Sequence, residues 1–126
     1  GGNRKMAELT TVQLRVAEAA GCIDAARLLI FRDIAEAYDL ARRGDAVSLD
    51  VRLRNRRDQA FCARLLIQAI DALFLAAGGQ GLFIDHPLQR FWRDAHAAGS
   101  HISLNWDSTG SMFGQYLLGL EPKGQY

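Results

Sequence analysis

Residues 6–43 read MAELTTVQLRVAEAAGCIDAARLLIFRDIAEAYDLARR, a run with no proline and a single glycine, Gly21. Apolar residues recur at Val12, Val16, Ala19, Ile23, Ala26, Ile30, Ile34, Ala37 and Ala41. That three-and-four spacing places them on one face of a helix. Arg42 and Arg43 complement the C-terminal dipole, and Gly44 supplies a left-handed cap. At 1.5 Å per residue the predicted helix is about 55 Å long, which is long for a chain of 126 residues. Its apolar face needs partners.

Working outward, a second helix starts with Ser48 as N-cap and runs to Ala77. Its later part, AFCARLLIQAIDALFLAA (60–77), is apolar on most sides, which predicts a helix buried by several neighbours. The loop GGQGLFID (78–85) stops it. A third helix begins at Pro87, a favoured first-turn residue. Here Phe91, Ala95, Ala98 and Ile102 form one stripe, and Arg90, Asp94, Ala97, His101 and Asn105 form a second, so the helix is expected to continue to Asn105. A shorter helix is expected from Ser108 to Leu118. No repeat and no strand pattern appears. The reading is all-α: an antiparallel helical bundle, one domain over 6–126, with Gly1-Gly2 a cloning remnant. Long helices in so small a chain leave apolar faces open. A homodimer or homotetramer is therefore expected, as is a larger parent protein.

The totals exclude several classes. Fifteen basic residues against fourteen acidic give a net charge of +1, too little basic excess for a nucleic-acid protein. No apolar run is read as a membrane span, and no leader is seen, so a cytoplasmic location is expected. Cys22 and Cys62 read as small buried hydrophobes. Thirteen of the fifteen basic residues are Arg; this reflects either carboxylate and phosphate contacts or codon bias. Three histidines and two cysteines lie scattered, so no metal site is expected.

Three places carry polar chemistry. Arg90, Arg93 and Asp94 read as ion pairs tying helix to helix. Ala97-Ala98-Gly99-Ser100 leaves a dent for another helix or a flat ring. In VRLRNRRDQAFCAR (51–64), Arg54, Arg57, Arg64 and Gln68 share a face that reads either as a solvated basic surface or as a phosphate contact. The GGQG turn leaves backbone N–H groups able to approach an anion. Composition and spacing go no further than a helical bundle with a polar seam.

In order, AARLLIFRDIAE (25–36), AIDALFLAAGGQG (69–81) and HPLQRFWRDAH (86–96) resemble the C-terminal helical domain of the acyl-CoA dehydrogenase superfamily. The resemblance covers the chain from about Glu8 onward. Dehydrogenases of that kind follow the R-D-A motif with an I-Y-E-G-T segment whose Glu is the catalytic base. That position falls on Ile102, which cannot accept a proton, whereas the neighbouring His101 can. The tail HISLNWDSTGSMFG (101–114) resembles instead the flavin-dependent monooxygenase branch, the oxygenase components of two-component hydroxylases acting on phenols.

That resemblance implies a reduced flavin (FMNH2 or FADH2) delivered by a separate flavin reductase, a C4a-hydroperoxide, and oxygen transfer to an aromatic small molecule. It implies His101 as the catalytic residue beside the substrate, where an imidazole would suit phenol deprotonation. It implies that Arg57, Gly78, Gly79 and Gln80 meet flavin phosphate from a neighbouring subunit. Trp92, Asn105 and Trp106 would face the substrate, with Phe91 and Phe113 as further walls that keep the site dry. The family carries further domains before this bundle, so the chain alone is expected to bind flavin weakly and to be inactive. An acyl-CoA dehydrogenase-like oxidoreductase and a purely structural oligomerisation module are the alternatives.

Overall fold

The computed structural model describes residues 2–78 and 86–126, with side chains from Lys5 onward. Among the described residues five α-helices follow one another: α1 (Gly2–Ala7), α2 (Thr10–Arg43), α3 (Leu49–Ala76), α4 (Pro87–Gly99) and α5 (Trp106–Leu117), with a 3₁₀ turn at Ile102–Leu104 between the last two. No strand occurs among the described residues. α3 is the centre, packed against α2 on one side and against α4, the 3₁₀ turn and α5 on the other. That position accounts for its apolar second half. By length and composition alone α3 could cross a bilayer, which corrects the reading that no such segment exists.

The sequence placed helix ends well where a cap decides them. Ser48 accepts the Val51 N–H and starts α3, and Gly44 closes α2 at φ +70°. Two expectations fail. The run from Met6 is broken at Glu8–Leu9, so α2 begins at Thr10. The third helix does not reach Asn105 but ends at Gly99. His101 and Asn105, expected on its polar stripe, cap the 3₁₀ turn and α5 instead. Side-chain acceptors at 101 and 105 compete with helix continuation by satisfying the next turn's N–H groups.

The α2–α3 interface is built from small residues and carboxylates. Ala19 and Cys22 of α2 pack on Ala69 and Ala72 of α3, and the thiol of Cys62 donates to the Ala26 carbonyl at 3.5 Å. Beyond Ala26 the inward face of α2 is not the predicted apolar stripe. Ile30 and Ile34 are exposed, while Asp33 and Glu36 turn toward arginines of α3. A count of apolar residues misses this face because ion pairs fill it.

Asp58 is the centre of those pairs and only 1% exposed. It accepts Arg32 Nη2 at 2.7 Å, and Arg57 Nε and Nη2 at 2.9 and 2.7 Å. Asp33 shares a hydrogen bond with it. Burial, then that contact, pushes the Asp33 carboxyl up to about 6. Burial alone would raise Asp58 too, but the hydrogen bonds from Asp33 and Arg57 outweigh it and hold Asp58 below the usual carboxylate range.

A carboxyl whose folded value is raised stabilises the fold fully below its unfolded value near 4, and loses that contribution as pH climbs through about 6. Asp58 behaves in the opposite sense: its contribution holds above the unfolded value and is lost in stronger acid. Calorimetric melting should therefore show greatest stability between these limits. Stability should fall by on the order of 1–2 kcal/mol from mildly acidic to neutral pH. Asp33→Asn should flatten that neutral-side slope; an unchanged slope would contradict the shared proton.

Candidate functional site

The break between α4 and α5 opens a cleft of about 620 Å³, within the range of small-molecule sites. Its polar side carries Arg56, His101, Ser103, Ser108 and Thr109. Met112 and Ile102 supply the apolar side, and Gly124–Tyr126 fold back along the rim. Two contacts hold that tail: Lys123 N–H donates to Gln115 Oε1 at 2.9 Å, and Tyr126 lies under the Arg52 guanidinium.

His101 is oriented by its neighbour. Its Nδ1 accepts the Ser103 backbone N–H at 3.2 Å and lies 2.7 Å from Ser103 Oγ. An amide can only donate, so Nδ1 is assigned as the acceptor and the neutral ring carries its proton on Nε2. Ile102, where a dehydrogenase would carry its carboxylate, stands beside it at 81% exposure.

Arg56 is the residue that sequence reasoning missed. Its neighbours on α3 are engaged: Arg54 with Glu36 and Asp33, and Arg57 with Asp58. Arg56 has no ion-pair or hydrogen-bond partner among the described residues, and its Nε is buried unpaired. No signal in the sequence singled it out: adjacent residues on a helix do not face one another, so the Arg57–Asp58 pair is not foreseeable, and Arg52 and Arg64 of α3 also stay without a carboxylate.

The other expected site residues lie elsewhere. Trp92 Nε1 donates to Asp71 Oδ1 at 2.8 Å, and its ring stacks on Phe74 and His96. His96 Nε2 lies 2.7 Å from the same Asp71 oxygen, so this trio fastens α4 to α3. Asn105 Oδ1 accepts the Ser108 N–H as cap of α5. Trp106 packs on Phe61 with the Arg64 guanidinium over its ring. Arg90 and Arg93 do not bridge helices: Arg90 lies 3.8 Å from Asp94 and Arg93 donates to Gln89, all within α4. The dent at Gly99 is filled by Ile67 of α3, whose Cδ1 would clash with an added Cβ.

Of the residues expected at flavin phosphate, Arg57 and Gly78 lie among those described. Arg57 places two nitrogens on Asp58 and its guanidinium 4.4 Å from the Phe113 ring centre. Gly78 is a left-handed turn residue at φ +61°. Gly79 and Gln80 lie outside the described residues. No group of residues among those described could hold a metal ion.

Comparison with known proteins fits this geometry. The profile described as "Acyl-CoA dehydrogenase, C-terminal domain" matches residues 1–106. The chain belongs to that family. Over the whole chain it is 52% identical to the oxygenase component of an FADH2-dependent resorcinol hydroxylase of Rhizobium sp. strain MTP-10005, of which it covers 32%. It is 38% identical, over 87% of its length, to a flavin-dependent monooxygenase oxygenase subunit of Mycobacterium tuberculosis, of which it covers 28%. Among solved structures, 3-HSA hydroxylase from Rhodococcus sp. RHA1 superposes with a TM-score of 0.89 at 35% identity, over 98% of this chain and 32% of that one. XiaF from Streptomyces, solved with FADH2 and glycerol, superposes at 0.88 with 30% identity, over 95% of this chain and 30% of that one. The chain thus spans about a third of the length of these relatives.

If Asp71 is what clamps α4, Asp71→Ala should lower Tm by several degrees, for a loss of roughly 1–2 kcal/mol. It should also expose the Trp92 indole, read as a red shift of its fluorescence. An unshifted spectrum would mean that apolar packing alone holds the helix.

Proposed function

We propose that the chain is the C-terminal bundle of the oxygenase component of a two-component, flavin-dependent hydroxylase. Its substrate is a phenol-type aromatic, and it works in the cytoplasm as a homo-oligomer fed by a separate reductase. The observation that carries this reading is the cleft at His101. It joins a fixed imidazole to an apolar face in a chain whose relatives are named hydroxylases. Reduced flavin, when bound, supplies the activation of oxygen, and the parts of the site that hold it belong to the rest of the protein. The chain by itself is then inactive. An exposed stripe of Leu28, Phe31, Ile34 and Tyr38 along α2 supports the oligomer.

We also infer a donor role for His101. With Nδ1 occupied by Ser103, the neutral ring has Nε2–H left to offer, and the residue lines the cleft. It therefore donates a hydrogen bond to the substrate oxygen rather than removing its proton. A hydrogen bond aimed at developing negative charge is worth about 10²- to 10³-fold in rate. Acyl-thioester dehydrogenation is disfavoured by Ile102 at the place of the base.

Kinetics of the full-length protein, supplied with reduced FAD and resorcinol, test both points. His101→Ala should lower hydroxylation about 100-fold with flavin affinity unchanged. His101→Gln, which keeps a donor but is no base, should recover about a tenth of the wild-type rate. A Gln variant as inactive as Ala would favour proton abstraction, and an unaffected Ala variant would remove His101 from the reaction.

A further inference from the structure

We propose that Arg56 holds the substrate as its phenolate. This rests on the reading of the cleft as the substrate end of a hydroxylase pocket, and it names the form of the substrate that the cleft selects.

Of the arginines with described side chains, Arg15, Arg32, Arg42, Arg43, Arg54, Arg57 and Arg90 face carboxylates. Arg93 meets an amide, and Arg27, Arg52 and Arg64 lie over aromatic rings. Arg56 has none of these among the described residues. A guanidinium cannot shed its proton to escape burial, and Arg56 is part-buried with neither a carboxylate nor a ring against it among the described residues; its Nε, like that of the carboxylate-paired Arg54, has no hydrogen bond. It opens onto a cleft whose described lining contains no Asp or Glu side chain. The other polar side chains there are His101, Ser103, Ser108, Thr109, Gln125 and Tyr126. The Ser103 hydroxyl is spent on His101 Nδ1 and that of Ser108 on the Asn105 carbonyl, which leaves His101 Nε2–H to join Arg56 as a donor to an oxyanion.

The apolar part of the lining fits the remainder of such a ligand. Ile102 offers an exposed surface for a ring, and the buried Met112 belongs to the same lining. A carboxylate ligand would use the cation equally well, but the reading of the cleft as a hydroxylase pocket brings a phenol there. Within a few ångströms of a cation a phenol ionises more easily, so the O–H proton passes to solvent as the ligand binds and no other bond changes. A ring carrying full oxyanion charge is a stronger nucleophile at its carbon atoms. Arg56 therefore takes over the task that the sequence assigned to a base, and His101 shares the resulting charge.

Equilibrium binding of 4-nitrophenol to the full-length protein, without flavin, reductase or oxygen, tests this. The phenolate of this probe is coloured and the neutral phenol is not. At about one pH unit below the pKa of the free probe, the wild type should bind it with the phenolate spectrum. Arg56→Gln should lose that spectrum and bind at least about ten-fold more weakly, while Arg56→Lys should keep most of both. Unchanged phenolate binding by Arg56→Gln would overturn the proposal. If Arg56→Gln does not fold, the wild type decides: binding only the neutral phenol, or no binding, overturns it equally. The hydroxylase reading fails separately, on absence of resorcinol turnover, because this binding needs none of the oxygen chemistry.

Discussion

A carboxylate in the middle of the bundle sets the terms for the rest. Asp58 is almost fully buried and gathers Arg32 from α2 and Arg57 from its own helix. Removing one partner from such a cluster strands a charge and typically costs several kcal/mol, so α2 and α3 are locked in one register. The same cluster sorts the arginines of α3. Arg57 is consumed by Asp58 and Arg54 by Glu36 and Asp33; Arg52 and Arg64 lie over aromatic rings, and Arg56 faces the cleft. A structural ion-pair network thus decides which cation is available for chemistry.

The second constraint is the interruption between α4 and α5. Had the helix continued as the three-and-four stripe predicts, His101 would be one more residue on a polar face. Ending α4 at Gly99 lets Ile67 of α3 approach where no side chain intervenes. The turn then reuses His101 and Asn105 as caps. Capping is what fixes the imidazole: the same Ser103 N–H that needs an acceptor at the start of the turn pins Nδ1 and leaves Nε2–H outward. Local backbone economy and the chemistry of the site are served by one contact.

Helix existence and order were legible because long apolar periodicities and the caps Gly44, Ser48 and Pro87 leave little choice. The family was legible from three motifs in the right order. What was hidden depends on pairing across helices. The inward face of α2 past Ala26 carries carboxylates, which no apolar count reveals. Trp92 and Trp106, expected as pocket walls, meet Asp71 and Phe61, contacts that spacing along one helix does not show. Arg56 stayed unseen for the converse reason: an arginine without a partner among the described residues is recognised only after its neighbours' partners are known.

The central claim is that His101 meets its substrate as a hydrogen-bond donor. The nitrogen-15 chemical shifts of its imidazole, measured at a pH where the ring is neutral, test this most directly. The account predicts a protonated Nε2 and a bare, hydrogen-bonded Nδ1. A proton found on Nδ1 would leave Nε2 free as a base and contradict it.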